Sequence, residues 1–234
     1  MDFEKFKEYL HESWWDRLKP FIESEECDKI YEFLKHETGR GRKIAPLSSN
    51  VWRAFKETPF DELKGIILGF SPYHTFTKDG KPIADGILMS CSVTGYLQPS
   101  LENFYMAMEK ELGIKSDRNP SLSYLCHQGL LMLNLSLTVE KNKPGSHISI
   151  WEPFMKYLFE EVIITTGMPV VLLGKESLRV KKYLSPFTWI IELSHPASAA
   201  YIGGEWDSEG MFTKINTILK ENNNFEIKWN NTNI

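Results

Sequence analysis

The chain has 234 residues, 42% of them hydrophobic and 25% charged, with a formal net charge of −4. This composition excludes a disordered or fibrous chain, and the slight acidity argues against a protein held on DNA by bulk charge, although a local basic patch can hide inside an acidic total. No run reaches the ~18–20 apolar residues of a membrane span. Three widely spaced cysteines, Cys27, Cys91 and Cys126, predict reduced thiols in a cytosolic or nuclear compartment, with no disulfide frame and no metal site.

In chain order, Phe3, Phe6, Leu10, Trp14 and Leu18 recur at helical spacing, with Pro20 after the run. Acids from residue 2 onward exclude a signal peptide there. A second helix is expected over 24–37, stopping near Gly39, and "TGRGRKIAPLSSN" (38–50) reads as a loop. Four short apolar runs follow: "GIILG" (65–69), "LLMLNL" (130–135), "VVLLG" (170–174) and "WIIELS" (189–194). Each is too short for a helix and rich in Ile, Val or Leu, which predicts strands of a parallel sheet buried on both faces. Between and after them, "PSLENFYMAMEKELG" reads as a helix from an N-cap at Ser100 to Gly113, and helices are expected over 150–161 and 208–221. The alternation predicts an α/β sandwich. The polar end "NNTNI" is expected to fray.

In such sheets ligands sit beyond the carboxyl ends of the strands. There the sequence places Ser71, Tyr73 and His74 after the first run, Asn134 in the second, Lys175 and Ser177 after the third, and His195 after the fourth. That crevice is the expected site.

The segments also resemble family 1 of the uracil-DNA glycosylases, over about residues 14 to 229. "PFDELKGIILGFSPYH" is similar to the family's water-activating loop, "QPSLENFY" to its proline-rich loop and helix, and "GLLMLNLSLTV" to its uracil-reading strand. "GSHISIWEPF" resembles a following helix start, "LLGKESL" the glycine-serine loop, and "LSHPASAAY" the loop with the catalytic His and the wedge. "IAPLSSNVWRAF" resembles the segment before the first strand. The resemblance implies a three-layer α/β/α sandwich around a four-stranded parallel sheet, and a single domain spanning 1–234. Within it lie N-terminal helices (1–38), a sheet core (61–221) and a short polar tail (229–234). No cofactor is implied, and neither is a membrane. The implied partner is DNA, weakly bound, single-stranded or uracil-containing.

The same resemblance assigns roles. Asn134 matches the amide that reads uracil, and an amide carries both the donor and the acceptor a pyrimidine edge needs. The plain alternative is a strand-end Asn serving backbone groups. His195 matches the His that stabilises charge on uracil O2, with a structural His before Pro196 as the alternative. Tyr73 matches the ring that excludes a 5-methyl group, and otherwise packs in a Pro-stiffened loop. His74, Ser100, Lys175, Ser177 and Ser198 fall at DNA-facing positions.

Several positions depart from the pattern. Ser71 stands where the family keeps an Asp that holds the attacking water. Loss of one preorganised electrostatic group costs about 3–4 kcal/mol, roughly a hundred- to a thousandfold in rate. Phe70 replaces a Gln, and Met89 replaces the Phe that stacks on uracil, a looser platform. Ala199 replaces the Leu wedge, and Ala197 and Ala200 replace phosphate-binding serines. Glu205, Asp207 and Glu209 bring acids beside the phosphate track, a repulsive arrangement, unless they form a solvated loop and a first helical turn. The loop after His74 is about five residues longer than in the family. Asp79 or Asp85 within it could swing in for the missing carboxylate, or serve an ordinary surface turn.

Three readings follow: a glycosylase with weakened or altered base preference; the same fold kept as a DNA- or protein-binding module, for instance a replication or repair accessory; and a hydrolase of a free pyrimidine nucleoside or nucleotide.

Overall fold

The apolar runs do pair as parallel strands, and two shorter strands form beside them. The computed structural model describes residues 6–231, with only the backbone at 200–202. Strand β1 (Ile44–Ala45) and strand β4 (Val139–Glu140) form an antiparallel ribbon. Strands β2 (Gly65–Gly69), β3 (Leu130–Asn134), β5 (Pro169–Leu173) and β6 (Trp189–Leu193) form the parallel sheet, in the order β3-β2-β5-β6. In register, Gly69 lies beside Asn134, and Leu173 beside Leu193. Strands β2, β3 and β5 are buried at every residue, as continuous apolar runs require. Strand β6 departs from the expectation of two buried faces. It is an edge strand that buries Ile191 and Leu193 and exposes Trp189 and Glu192.

The helices are α1 (Trp15–Ile22), α2 (Glu25–Gly39), α3 (Arg53–Glu57), α4 (Pro99–Leu112), α5 (Ser123–Cys126), α6 (Ile148–Tyr157), α7 (Pro196–Ile202) and α8 (Met211–Asn223). They flank the sheet as a three-layer α/β/α sandwich. One layer joins α1 to α6 through Phe21 and Phe154, 5.2 Å apart. The other joins α4 to α8 through Phe104 and Phe212, 5.1 Å apart. Each such aromatic pair adds about 0.5–1.5 kcal/mol beyond the burial itself.

The N-terminal helix expected from periodicity is broken. Phe3 lies outside the described residues. Single 3-10 turns at Lys7–Tyr9 and Glu12–Trp14 precede α1, with Leu10 extended between them. The break is compensated from elsewhere: His11 N–H donates to Phe55 O at 3.3 Å, and Trp14 Nε1–H to Thr58 O at 2.6 Å. Pro20 does not end α1, which runs on to Ile22. Its missing N–H forfeits the bond to the Asp16 carbonyl, the cost of a proline inside a helix, and α1 ends two residues later. Helix α4 begins at Pro99 with Gln98 as N-cap, two residues before the expected cap at Ser100, and ends at Leu112 with Gly113 as C-cap. Trp229, placed in the polar tail by sequence, is 2% exposed and packs on Phe212 at 4.8 Å. The expected fraying of 232–234 lies outside the described residues. Among those described, no helix is long and apolar enough to cross a membrane.

Candidate functional site

Two glycines open the crevice at the carboxyl edge of the sheet. A Cβ on Gly69 would fall 3.2 Å from Asn134 Oδ1 and 3.5 Å from His195 Nε2, and would collide with Leu88 Cδ1. His195 follows β6, two strands away from β2. It reaches Gly69 across the end of β5, where a Cβ on Gly174 would stand 3.3 Å from its own Cβ. Asn134 comes from the neighbouring strand in register with Gly69. An amide and an imidazole from opposite sides thus converge on the Gly69 Cα, against which Leu88 also packs.

Both groups are chemically prepared. Asn134 is 7% exposed and its Oδ1 is buried without a hydrogen-bond partner. Such a group costs about 1–3 kcal/mol unless something fills its need. His195 caps α7: its Nδ1 accepts the Ala197 N–H at 3.1 Å. An accepting Nδ1 leaves the ring proton on Nε2, the nitrogen facing Gly69. Burial lowers the His195 pKa from 6.5 to about 4, so near neutral pH the ring is uncharged and offers an N–H donor.

The loop 69–74 is held from two sides. The Tyr73 hydroxyl donates to Met89 O at 3.0 Å and pairs with Ser100 Oγ at 2.6 Å. Burial raises its pKa above the ordinary phenol value, so it stays protonated. Ser71 Oγ accepts the Gly145 N–H at 3.2 Å and donates to Pro72 O at 3.4 Å. Gly145 has φ +73, and a Cβ there would overlap the Phe70 ring, so only glycine fits the turn on which Phe70 and Ser71 rest. Met89 is 4% exposed and holds φ +58, a left-handed conformation costing about 1–2 kcal/mol in a non-glycine residue. His74 O accepts the Asn142 N–H at 3.0 Å, while its buried Nδ1 has no partner.

Several expected site residues are placed elsewhere. Asp85 is fully buried and committed. It accepts from Ile87 N–H, Ser90 Oγ, Ser92 N–H and Ser92 Oγ at 2.6–3.2 Å, and pairs with Arg53 at 2.8 Å. A carboxylate so engaged cannot swing toward Ser71; it fixes the segment that carries Met89. Asp79 sits on an exposed turn, paired with Lys81 at 3.3 Å. Ser100 neither caps α4 nor faces outward: it is 3% exposed, one residue into the helix, and bonded to Tyr73. Ser177 is fully buried, its hydroxyl donating to Gly174 O at 2.7 Å. Ala199 is 3% exposed, so it does not project as a wedge; helix α7 is tied against α4 by Asn103 Nδ2–H donating to Pro196 O at 2.9 Å. Ser198 is exposed, with its hydroxyl turned back to His195 O at 2.7 Å. Lys175 is exposed at the start of a 3-10 stretch, Lys175–Tyr183. The acids of 205–209 precede α8 and are not its first turn. Glu205 pairs with Lys110 at 2.7 Å, and the carboxylate at the start of α8 is that of Glu111, which accepts the Thr213 N–H at 2.8 Å.

Sequence reasoning missed Gly145, Arg53 and Leu88. Gly145 lies in "KPGSH", a turn signal that was readable as such, but nothing in the sequence tied it to Ser71. Arg53 and Leu88 gave no local signal.

Fold and site define an α/β protein with its candidate site beyond the carboxyl ends of a parallel sheet. Residues 55–220 match the family model described as "Uracil DNA glycosylase superfamily". The chain is 32% identical over 224 residues to the uracil-DNA glycosylase of Pseudomonas aeruginosa (strain UCBPP-PA14), covering 94% of each. It is 32% identical over 219 residues to that of Borreliella burgdorferi (strain ZS7), covering 92% of this chain and 96% of the relative. The fold matches the crystal structure of mimivirus uracil-DNA glycosylase with a TM-score of 0.85, at 23% identity, over 96% of this chain and 88% of that one. The chain belongs to the uracil DNA glycosylase superfamily.

Proposed function

We propose that this chain, acting as one domain over residues 1–234, is a DNA N-glycosylase that excises uracil slowly. The observation that carries the reading is the convergence of Asn134 Oδ1, buried and unpaired, and His195 Nε2 on Gly69. A flipped uracil placed there offers its N3–H to Asn134 Oδ1 and its O4 to the amide N–H. That pattern selects uracil over cytosine, which presents the opposite donor and acceptor. Tyr73, fixed by Met89 and Ser100, walls the position of a 5-methyl group. When the C1′–N1 bond breaks, its electron pair stays on the base. The neutral His195 donates its Nε2–H to O2, where that charge collects. Water adds to C1′ and releases its proton.

The slow step is the one Ser71 serves. A hydroxyl held between Gly145 N–H and Pro72 O can orient a water but brings no negative charge to the cationic sugar. The expected deficit against a carboxylate is about 3–4 kcal/mol, a hundred- to a thousandfold in rate. A second reading, a binding module without chemistry, is favoured by Ser100 and Ser177, whose hydroxyls are spent inside the fold, and by the buried Ala199.

The test is uracil release from a single-stranded oligonucleotide, read as alkali-labile ends. The unaltered chain should cleave slowly, Asn134→Ala not at all, and Ser71→Asp about a hundredfold or more faster. No cleavage at stoichiometric protein by either the unaltered chain or Ser71→Asp would refute the glycosylase reading and leave the module.

A further inference from the structure

With Ser100 and Ser177 facing inward and acids across 205–209, the usual lip of the pocket offers little to a phosphate backbone. The opposite lip is different. Segments 42–45, 74–84 and 139–146 hold six Lys and Arg side chains against two acids, in a chain whose net charge is −4. All six are exposed. Arg42 and Lys143 share Glu140, at 3.2 and 2.9 Å. Lys81 pairs with Asp79 at 3.3 Å, next to Lys78. Lys43 and Lys141 sit side by side on the ribbon, where Lys141 N–H donates to Lys43 O at 2.8 Å. Beside them, Glu37 and Arg40 at the end of α2 offset one another. The excess is four positive charges on one face.

This face is built, not a loose collection of side chains. The 74–84 loop closes on itself through Thr77 N–H to Lys81 O at 2.8 Å and Ile83 N–H to Thr75 O at 3.1 Å. A small apolar cluster of Ala45, Ala84 and Val139 joins the loop to the ribbon, with Phe76 and Tyr73 packed against it. The Lys141 ammonium lies over the Phe76 ring at 5.6 Å. The face also continues into the pocket. Asn142 N–H bonds His74 O, Gly145 N–H bonds Ser71 Oγ, and Gly145 lies two positions, at most about 7 Å of backbone, from Lys143.

We propose that the β1–β4 ribbon and the 74–84 loop form the track for the phosphate backbone of a single DNA strand leading to the pocket. Exposed ion pairs such as Lys81–Asp79 contribute about 0–1 kcal/mol, so a phosphate can replace the carboxylate at little cost. Release of counterions from the strand then supplies the affinity. The proposal rests on the DNA reading above but not on catalysis.

The test measures binding of a labelled, uracil-free single-stranded DNA by fluorescence anisotropy across a salt series. It compares the unaltered chain, a patch variant (Lys43→Ser, Lys78→Ser, Lys141→Ser) and a control of equal charge change elsewhere (Lys29→Ser, Lys214→Ser, Lys228→Ser). The patch variant should bind at least about tenfold more weakly, and its slope of log affinity against log salt should be shallower by about 2, near 0.7 per lost contact. The control should change little. Excision from a long uracil oligonucleotide should lose kcat/KM through KM in the patch variant, while excision from a uracil trinucleotide should hold. Equal binding by patch and control variants would overturn the proposal, as would no binding by the unaltered chain at low salt, or tighter binding of the same-sequence RNA. Binding through the patch without excision by either the unaltered chain or Ser71→Asp would sink the glycosylase reading and leave the track standing.

Discussion

His195 should stay neutral far below the pH at which histidines usually charge. Burial takes it from the ordinary 6.5 to about 4. At about 1.4 kcal/mol per pKa unit, that drop amounts to about 3 kcal/mol. Between pH 4 and 6.5 the unfolded chain binds this proton and the folded chain does not. Stability therefore rises with pH across the window: the contribution is complete above 6.5 and is lost as pH falls to 4. His147, also lowered by burial and only partly offset by Glu140 and Glu37, acts in the same direction, so the diagnostic quantity is a difference. His195→Asn keeps an N-cap acceptor for Ala197 N–H and removes the titration. Urea unfolding at pH 7.5 and 4.5 should show the unaltered chain losing about 2–3 kcal/mol more than this variant on acidification. Nitrogen chemical shifts should show His195 neutral, protonated on Nε2, from pH 5 to 7. A proton found on Nδ1, or a pKa at or above 6.5, would refute both the cap geometry and the donor role drawn from it.

Two further outcomes are expected. Gly145→Ala should cost about 1–2 kcal/mol for the left-handed backbone alone, and more for displacing Phe70; urea unfolding measures the loss, and uracil release should fall with it as the Ser71 loop shifts. Asp85→Asn should cost about 1–3 kcal/mol, because it turns an acceptor of four hydrogen bonds and partner of an arginine into an amide whose NH2 faces donors, while Arg53 keeps Glu57 at 3.2 Å; a loss below about 1 kcal/mol would mean the Asp85 network is not the anchor of the Met89 segment.

What was legible in the sequence was what burial writes into composition. The runs at 65–69 and 130–134 are apolar at nearly every position because β2 and β3 are covered on both faces, and no turn residue interrupts them. Strand β6 reads alike, yet Trp189 and Glu192 face out while β3, at the opposite edge, is buried throughout, because whether an edge is covered depends on the elements around the sheet and not on the strand. Spacing at the N-terminus recorded which side chains are buried, Phe6, Leu10, Trp14 and Leu18, but not that the backbone breaks at Leu10 to bond Phe55. In the site, Asn134 and His195 were readable from their places at strand ends. The fate of the hydroxyls and carboxylates was not. Ser100 meets Tyr73, Ser177 meets Gly174, and Asp85 meets an arginine 32 positions back, beyond any local pattern.

Tyr73 joins three parts of the molecule at one ring. Its hydroxyl holds the carbonyl of strained Met89 and the buried Ser100, while its ring packs against the cluster that carries the ribbon. In the proposed function the wall of the base pocket and the mounting of the basic face are therefore the same side chain. If both places are occupied as proposed, any effect of one on affinity at the other must be returned by an equal factor, and Tyr73 is the side chain the two share.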